Sequence, residues 1–214
     1  MTERIILLAG ATGLVGGEYL RLLSSDDSVK EIRAIVRRPL PSELRLPNVS
    51  VHVVDFNKIE ATPDTFKIDQ VFCALGTTIR IAGSQEAFRR VDFDYPLKIA
   101  RLALEQGAQH FLLVSALGAN AHSRVFYNRV KGELEEAIGK LGYRSVTIAR
   151  PFLLLGDRDE FRIGEEIGKR LKWFFPKKWQ PVQAARVASA LVNASRDDSS
   201  GILILENRDL HKLV

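Results

Sequence analysis

One cysteine, Cys73, stands in the 214-residue chain. No disulfide can close within it, and a zinc site built on paired cysteines is excluded. A chain without disulfides suits a reducing compartment, and a cytoplasmic location is the expectation. Four histidines, His52, His110, His122 and His211, fall without metal-ligand spacing, so no metal is expected. Long apolar runs are missing as well. The run Ile5 to Ala9 is far short of the roughly 20 residues that cross a bilayer. It leads into glycines rather than a cleavage site, so neither a membrane span nor a signal peptide is predicted. Charge excess is small: the net charge of +5 fits an anionic ligand but is common on solvated surfaces. Without an accompanying motif, no nucleic-acid partner is expected. Internal repeats and low-complexity linkers are absent too.

What remains is an average globular composition, 46% apolar and 27% charged, read as a single domain spanning 1–214. Strand-like and helix-like segments alternate along it, the pattern of βαβ units and a parallel sheet. Strands are predicted at Arg4–Ala9, Glu31–Val36, Val49–Val54, Gln70–Leu75, His110–Ser115, Ser145–Arg150 and Ile202–Leu205. Helices are predicted at Leu14–Leu23, Ser84–Gln106, His122–Leu141 and Gln183–Ser195. The fold class is therefore α/β, a doubly wound parallel sheet of about seven strands with helices on both faces. The irregular stretch 152–181 is expected to lie over the carboxyl ends of the strands, where open α/β sheets bind ligands.

Gly10-Ala11-Thr12-Gly13-Leu14-Val15-Gly16 sits between the first strand and the first helix. Glycine at 10 permits a tight turn of unusual dihedrals, glycine at 13 lets backbone approach a pyrophosphate, and glycine at 16 lets the helix pack close to the sheet. The helix N-terminus then offers unpaired N–H groups to phosphates. The strand before and the helix after make this turn a dinucleotide site rather than a bare glycine triplet. An NAD site carries Asp or Glu near the end of the second strand, for the ribose 2′-hydroxyl. Here that strand ends Ile35-Val36-Arg37-Arg38, and guanidinium groups suit a 2′-phosphate instead. NADPH is expected over NADH. Asp55-Phe56, after the third strand, either accepts from the adenine amino group or caps the next turn. Leu75-Gly76-Thr77-Thr78, after the fourth, lets backbone lie against the cofactor, or is an ordinary turn.

Tyr127 and Lys131 are four residues apart and share a helix face. A free phenol titrates near 10 and transfers protons poorly at neutral pH; a nearby ammonium favours phenolate. Tyr127 is thus a candidate proton donor to a carbonyl, Lys131 its activator and a holder of the nicotinamide ribose, and Ser115 the candidate that polarises the carbonyl oxygen.

In the order of these motifs the chain resembles the atypical short-chain dehydrogenases/reductases, in the branch of the Tat-interacting oxidoreductase-like proteins. The resemblance is carried by the glycine turn, Val54-Asp55-Phe56, Phe72-Cys73-Ala74-Leu75-Gly76-Thr77-Thr78, Ala82-Gly83-Ser84, Val91-Asp92-Phe93-Asp94-Tyr95, His110 to Ser115, and Tyr127-Asn128-Arg129-Val130-Lys131-Gly132-Glu133. It implies a Rossmann fold, bound NADPH, a Ser115/Tyr127/Lys131 triad, and Pro151 and Phe152 lining the nicotinamide side. It supplies no substrate.

Three functions are compatible with these features. One is an NADPH-dependent oxidoreductase acting on a carbonyl or similar group. Another is an NADPH-sensing regulator that docks a protein partner with little turnover. A third is an epimerase or dehydratase that retains its cofactor. Because 63 residues follow Pro151, and the last helix and strand use about 20 to 25 of them, a shallow pocket, or one completed by a partner, is expected. Oligomeric state is left open. Lys169 to Trp179 mixes cations with aromatics, and reads as core-packing rings with solvated lysines ahead of a substrate wall, a membrane patch or a nucleic-acid patch. Cys73 reads as a small buried hydrophobe.

Overall fold

The computed structural model describes residues 3–156, 179–197 and 199–212. The chain runs β1 (Arg4–Ala9), α1 (Leu14–Ser24), β2 (Val29–Val36), β3 (Val49–Val53), β4 (Gln70–Cys73), α2 (Ile79–Ala82), α3 (Gln85–Arg89), α4 (Tyr95–Glu105), β5 (His110–Val114), α5 (Phe126–Gly139), β6 (Ser145–Arg150), β7 (Leu154–Leu155), β8 (Val182–Gln183), α6 (Ala184–Arg196), β9 (Gly201–Glu206) and α7 (Asn207–Leu210). Seven strands form one sheet in the order β3-β2-β1-β4-β5-β6-β9, and every pairing is parallel. The order reverses between β1 and β4, which places a topological switch point beside the glycine turn. This is the doubly wound Rossmann arrangement expected from the sequence. β7 and β8 make a separate two-stranded pair.

The central strands form because they are apolar on both faces, as a covered parallel sheet requires. β5 is buried throughout. One face packs Ile6, Leu8, Phe72 and Leu112 against Tyr19, Leu20 and Leu23 of α1 and Val187 and Leu191 of α6. The other packs Leu7, Val71, Phe111 and Ile148 against Ile99 and Ala103 of α4 and Leu134 and Ile138 of α5. Each such fully buried aliphatic side chain contributes about 1.5–3 kcal/mol of transfer free energy. The Tyr19 ring stacks on Phe72 with centroids 3.6 Å apart, pinning α1 to the sheet.

Two helices depart from expectation. The segment predicted as one helix from Ser84 to Gln106 is broken. Ser84 does cap it, its Oγ accepting from the Ala87 N–H at 3.1 Å, but a wide π turn, Arg90–Asp94, separates α3 from α4. Pro96 explains it: the proline has no N–H for the Asp92 carbonyl, and its ring would crowd that oxygen in a regular helix. The helix predicted from His122 starts instead at Phe126. Asn120 Oδ1 takes the His122 N–H at 2.8 Å and Ser123 Oγ the Val125 N–H at 3.1 Å, so these side chains hold the residues before α5 in turns. Among the described residues, no helix is long and apolar enough to cross a membrane.

Candidate functional site

The glycine turn closes as its spacing predicts. Gly10 has φ +94, and a Cβ there would lie 2.7 Å from the Ala74 carbonyl, so β1 and β4 leave no room for a side chain. A Cβ on Gly16 would overlap the Gly10 carbonyl oxygen, which ties α1 directly to the end of β1. Gly13 caps α1 with no side-chain hydrogen bond, and the first turn carries no acid. The N–H groups of that turn therefore face outward without a competing carboxylate, the chemistry a phosphate needs. Ala11 is buried under the turn and Thr12 is exposed on it.

Beyond β2, Arg37 and Arg38 are both exposed. Arg37 lines a cleft of about 420 Å³ together with Val53, Val54, Asp55, Phe56 and Tyr95. Asp55 takes the turn-capping option: its Oδ1 accepts from the Asn57 N–H at 2.9 Å and from Asn57 Nδ2 at 3.0 Å. The Tyr95 hydroxyl donates to Asn57 Oδ1 at 2.9 Å, so a residue outside the predicted set closes the cleft. Phe56 is buried and its ring tilts against Tyr95.

The connection after β4 carries the next group. Thr78 accepts from the Ile81 N–H and starts α2, and the Thr77 N–H donates to Asp92 Oδ2 at 2.9 Å. Gly76 lies over a buried ion pair, Lys131 Nζ to Asp92 Oδ1 at 2.8 Å, with side chains 5% and 1% exposed. A Cβ on Gly76 would come 3.3 Å from Asp92 Oδ1 and 3.6 Å from Lys131 Nζ. Leu75 packs at the rim of the core beneath this connection.

Tyr127 and Lys131 stand one turn apart on α5, as predicted. Gly132 lets the preceding loop lie on this helix, since a Cβ there would overlap the Asn120 and Ala121 backbone. The half-buried Tyr127 ring rests against Phe88, centroids 5.5 Å apart. Burial works against the Lys131 ammonium, but the Asp92 carboxylate, with Tyr127 also contributing, outweighs it and holds the lysine above its ordinary range.

Ser115 has a partner that its expected role does not include. Its hydroxyl donates to Glu135 Oε1, a buried carboxylate on α5. A hydroxyl has one proton, so polarising a substrate oxygen would require Ser115 to release this bond. Glu135 in turn pairs with Arg150 at 2.5 Å, and Arg150 with Glu206 at 2.9 Å. Neither Glu135 nor Asp92 was singled out from the sequence for a role. The available signal was spacing: Glu135 is four residues beyond Lys131 on the same face.

Pro151 is buried at the end of β6, and its carbonyl accepts from the Leu117 N–H at 2.8 Å. Phe152 is 44% exposed and meets Trp179 edge-on, centroids 5.6 Å apart. Of the expected basic aromatic stretch, 169–178 lies outside the described residues, as does 157–178 of the substrate-side segment. Cys73 is fully buried, and burial pushes its thiol up to about 11, in keeping with an inert core residue.

The sequence matches the family described as NAD(P)H-binding over residues 10–197. It is 36% identical over 214 residues to Protein HTATIP2 of Rattus norvegicus, covering 97% of this chain and 88% of that protein. It is 32% identical over 219 residues to Protein FMP52, mitochondrial, of Eremothecium gossypii, covering 97% and 96%. In structure it resembles the Bordetella bronchiseptica enzyme WbmH in complex with NAD+, with a TM-score of 0.75 at 13% identity, covering 95% of this chain and 76% of that one; this likeness concerns the fold. The FMP52 relatives correct the expected cytoplasmic location, because several are named mitochondrial. A chain with one cysteine is compatible with several compartments and does not specify the cytoplasm.

Proposed function

Because the chain belongs to the NAD(P)H-binding family and has its Rossmann fold, we propose that it is an NADPH-dependent oxidoreductase that reduces a carbonyl or similarly polarised group of a small substrate. The observation that carries this reading is the placement of Tyr127 one helical turn from a buried, charged Lys131 that lies against the Gly76 connection after β4. The cradle at Gly10, Gly13 and Gly16 fits a pyrophosphate, and the open first turn of α1 supplies its donors. Exposed Arg37 and Arg38, with no carboxylate at that strand end, support a 2′-phosphate and hence NADPH. When bound, the cofactor supplies hydride. Tyr127 donates the proton that the developing alkoxide needs, Lys131 would orient the ribose from one helical turn away, and Pro151 and Phe152 would line the nicotinamide side. Leu75 to Thr78 would lie against the bound cofactor.

A screen of carbonyl substrates against wild type and Tyr127→Phe tests the mechanism. Turnover should fall at least a hundredfold in the variant, with NADPH affinity kept; unchanged turnover overturns it. Ser115's commitment to Glu135 favours a second reading, an NADPH-sensing regulator with little turnover that docks a protein partner. That reading predicts tight NADPH binding without oxidation across the screen, and a partner affinity that changes with cofactor.

A further inference from the structure

We propose that Asp92 is a positioning residue for this site: its buried carboxylate pins the Lys131 ammonium beneath the Gly76-Thr77 connection and keeps it charged. The consequence for catalysis rests on the reductase reading of Tyr127 and Lys131; the geometry does not. Both oxygens of Asp92 are used, and by different elements. Oδ1 meets Lys131 Nζ on α5 at 2.8 Å, and Oδ2 accepts from the Thr77 N–H at 2.9 Å. One side chain thus ties α5 to the segment that follows β4. The wide turn Arg90–Asp94 forced by Pro96 is where Asp92 enters the interior, and π turns of this kind recur at functional sites.

Three titratable groups act on Lys131: Asp92 from the wide turn, Tyr127 from its own helix and Cys73 from β4. Asp92 is the carboxylate among them, and the buried Cys73 thiol stays protonated, pushed up to about 11. Burial alone would lower the lysine's hold on its proton. Without Asp92 the ammonium would lose both its counter-ion and the anchor that places it under Gly76. A lysine freed from Asp92 would no longer sit at a fixed place beneath Gly76, one helical turn from Tyr127.

The test reads Lys131 directly. Protein carrying isotope-labelled lysine is titrated by NMR in wild type and Asp92→Asn, with the Lys131 resonance identified by its loss in Lys131→Arg. With its oxygen towards the Thr77 N–H, asparagine keeps that acceptor, removes the charge and leaves an amide nitrogen, which cannot accept from Lys131, in place of Oδ1. Lys131 should lose its proton at least one pH unit lower in Asp92→Asn, a tenfold change in proton affinity. Titration at the same pH in both proteins overturns the proposal. Should Asp92→Asn not fold, the double variant Asp92→Asn/Lys131→Met decides: recovery of wild-type circular dichroism shows that the uncompensated ammonium was the fault, as proposed, whereas failure of both assigns Asp92 a purely architectural role and overturns it. Because the readout needs no turnover, a missing reductase activity would sink the functional reading while leaving this result distinct.

Discussion

Two neighbouring glycines at the start of α1 should answer the same substitution with opposite signs. A methyl group on Gly16 would lie 2.7 Å from the Gly10 carbonyl carbon, closer still to its oxygen, and 3.2 Å from the Ala11 Cα. All of these are backbone atoms. Gly10 cannot retreat, because its own missing side chain would meet the Ala74 carbonyl at 2.7 Å. Since an ordinary carbon–carbon contact needs about 3.5 Å, α1 has to back off the sheet by roughly an ångström. That movement is resisted by Val15, Tyr19, Leu20 and Leu23, all buried. Overpacking of this kind costs about 1–3 kcal/mol, and rigid backbone on both sides argues for the upper half. For a chain of this size the melting temperature of Gly16→Ala should drop by roughly 4–10 °C. A methyl on Gly17 meets Ala11 O at 3.5 Å, an ordinary contact. Alanine is the better helix former by about 1 kcal/mol, so Gly17→Ala should melt with wild type or a few degrees above it. Thermal unfolding followed by circular dichroism, with and without NADPH, checks both. On the proposed function, NADPH should raise the melting points of wild type and Gly17→Ala alike, and that of Gly16→Ala much less, since the N–H groups move with the helix. The reasoning fails if Gly16→Ala melts with wild type, or if the two variants lose stability equally.

The double variant Arg37→Ala/Arg38→Ala should weaken NADPH binding by about 10- to 100-fold, the worth of one or two hydrogen bonds to a charged group, while NADH binding changes little; fluorescence titration measures both, and a wild-type preference for NADH would overturn the reading of β2. Burial pushes His110 from 6.5 down to about 4, so between those values the unfolded chain binds a proton that the folded chain refuses. Stability is therefore full above about pH 6.5 and falls by up to about 3 kcal/mol as the pH drops towards 4; urea midpoints across this window should follow that slope, and His110→Leu/Thr147→Val, which removes the ring and its buried 2.9 Å partner, should flatten it. Ser115→Ala should cost about 1–3 kcal/mol of stability, the penalty for a buried acceptor left short of a donor, yet lower turnover less than tenfold; a loss matching Tyr127→Phe would return Ser115 to the substrate oxygen.

The strands and the glycine turn after β1 were legible for a physical reason. A parallel sheet covered on both faces needs uninterrupted apolar strands, and Leu7, Leu8, Phe111, Leu112 and Leu113 supply them without pattern-breaking charges. A pyrophosphate turn needs glycines where Cβ atoms would strike backbone, and Gly10 and Gly16 stand at those places. The long helix from Ser84 was misread because amphipathic periodicity continues through Arg90–Asp94, while the fault comes from a missing N–H at Pro96. The early start given to α5 had a similar origin: Asn120 and Ser123 are tolerated in a helix, but here they hydrogen-bond their own backbone neighbourhood first. The partner of Ser115 was harder to read: the four-residue spacing from Lys131 puts Glu135 on the same helix face, but a glutamate is a residue type expected in water, and its inward turn to Ser115 is a long-range contact.

Glu135 and Lys131 change how α5 itself is understood. Tyr127, Lys131 and Glu135 are spaced by four and lie on one face of the helix. Solvent is the usual place for a lysine and a glutamate at such spacing, yet these residues are 4% and 7% exposed. Each is matched by charge from another part of the chain: Lys131 by Asp92 of the wide turn between α3 and α4, which also holds the connection after β4, and Glu135 by Arg150 at the end of β6, itself bonded to Glu206 at the end of β9. Ser115, just past β5, joins the second pair. Buried pairs of this kind add little net stability over apolar residues of the same shape, and Leu134 and Ile138 already fasten the helix by burial. What the pairs add is direction. Apolar contacts permit α5 to turn or slide by a fraction of a residue at small cost, whereas two ion pairs anchored at the carboxyl ends of four adjacent strands do not. The phenol of Tyr127, at the open end of the same row, takes its place relative to the glycine turn from that constraint.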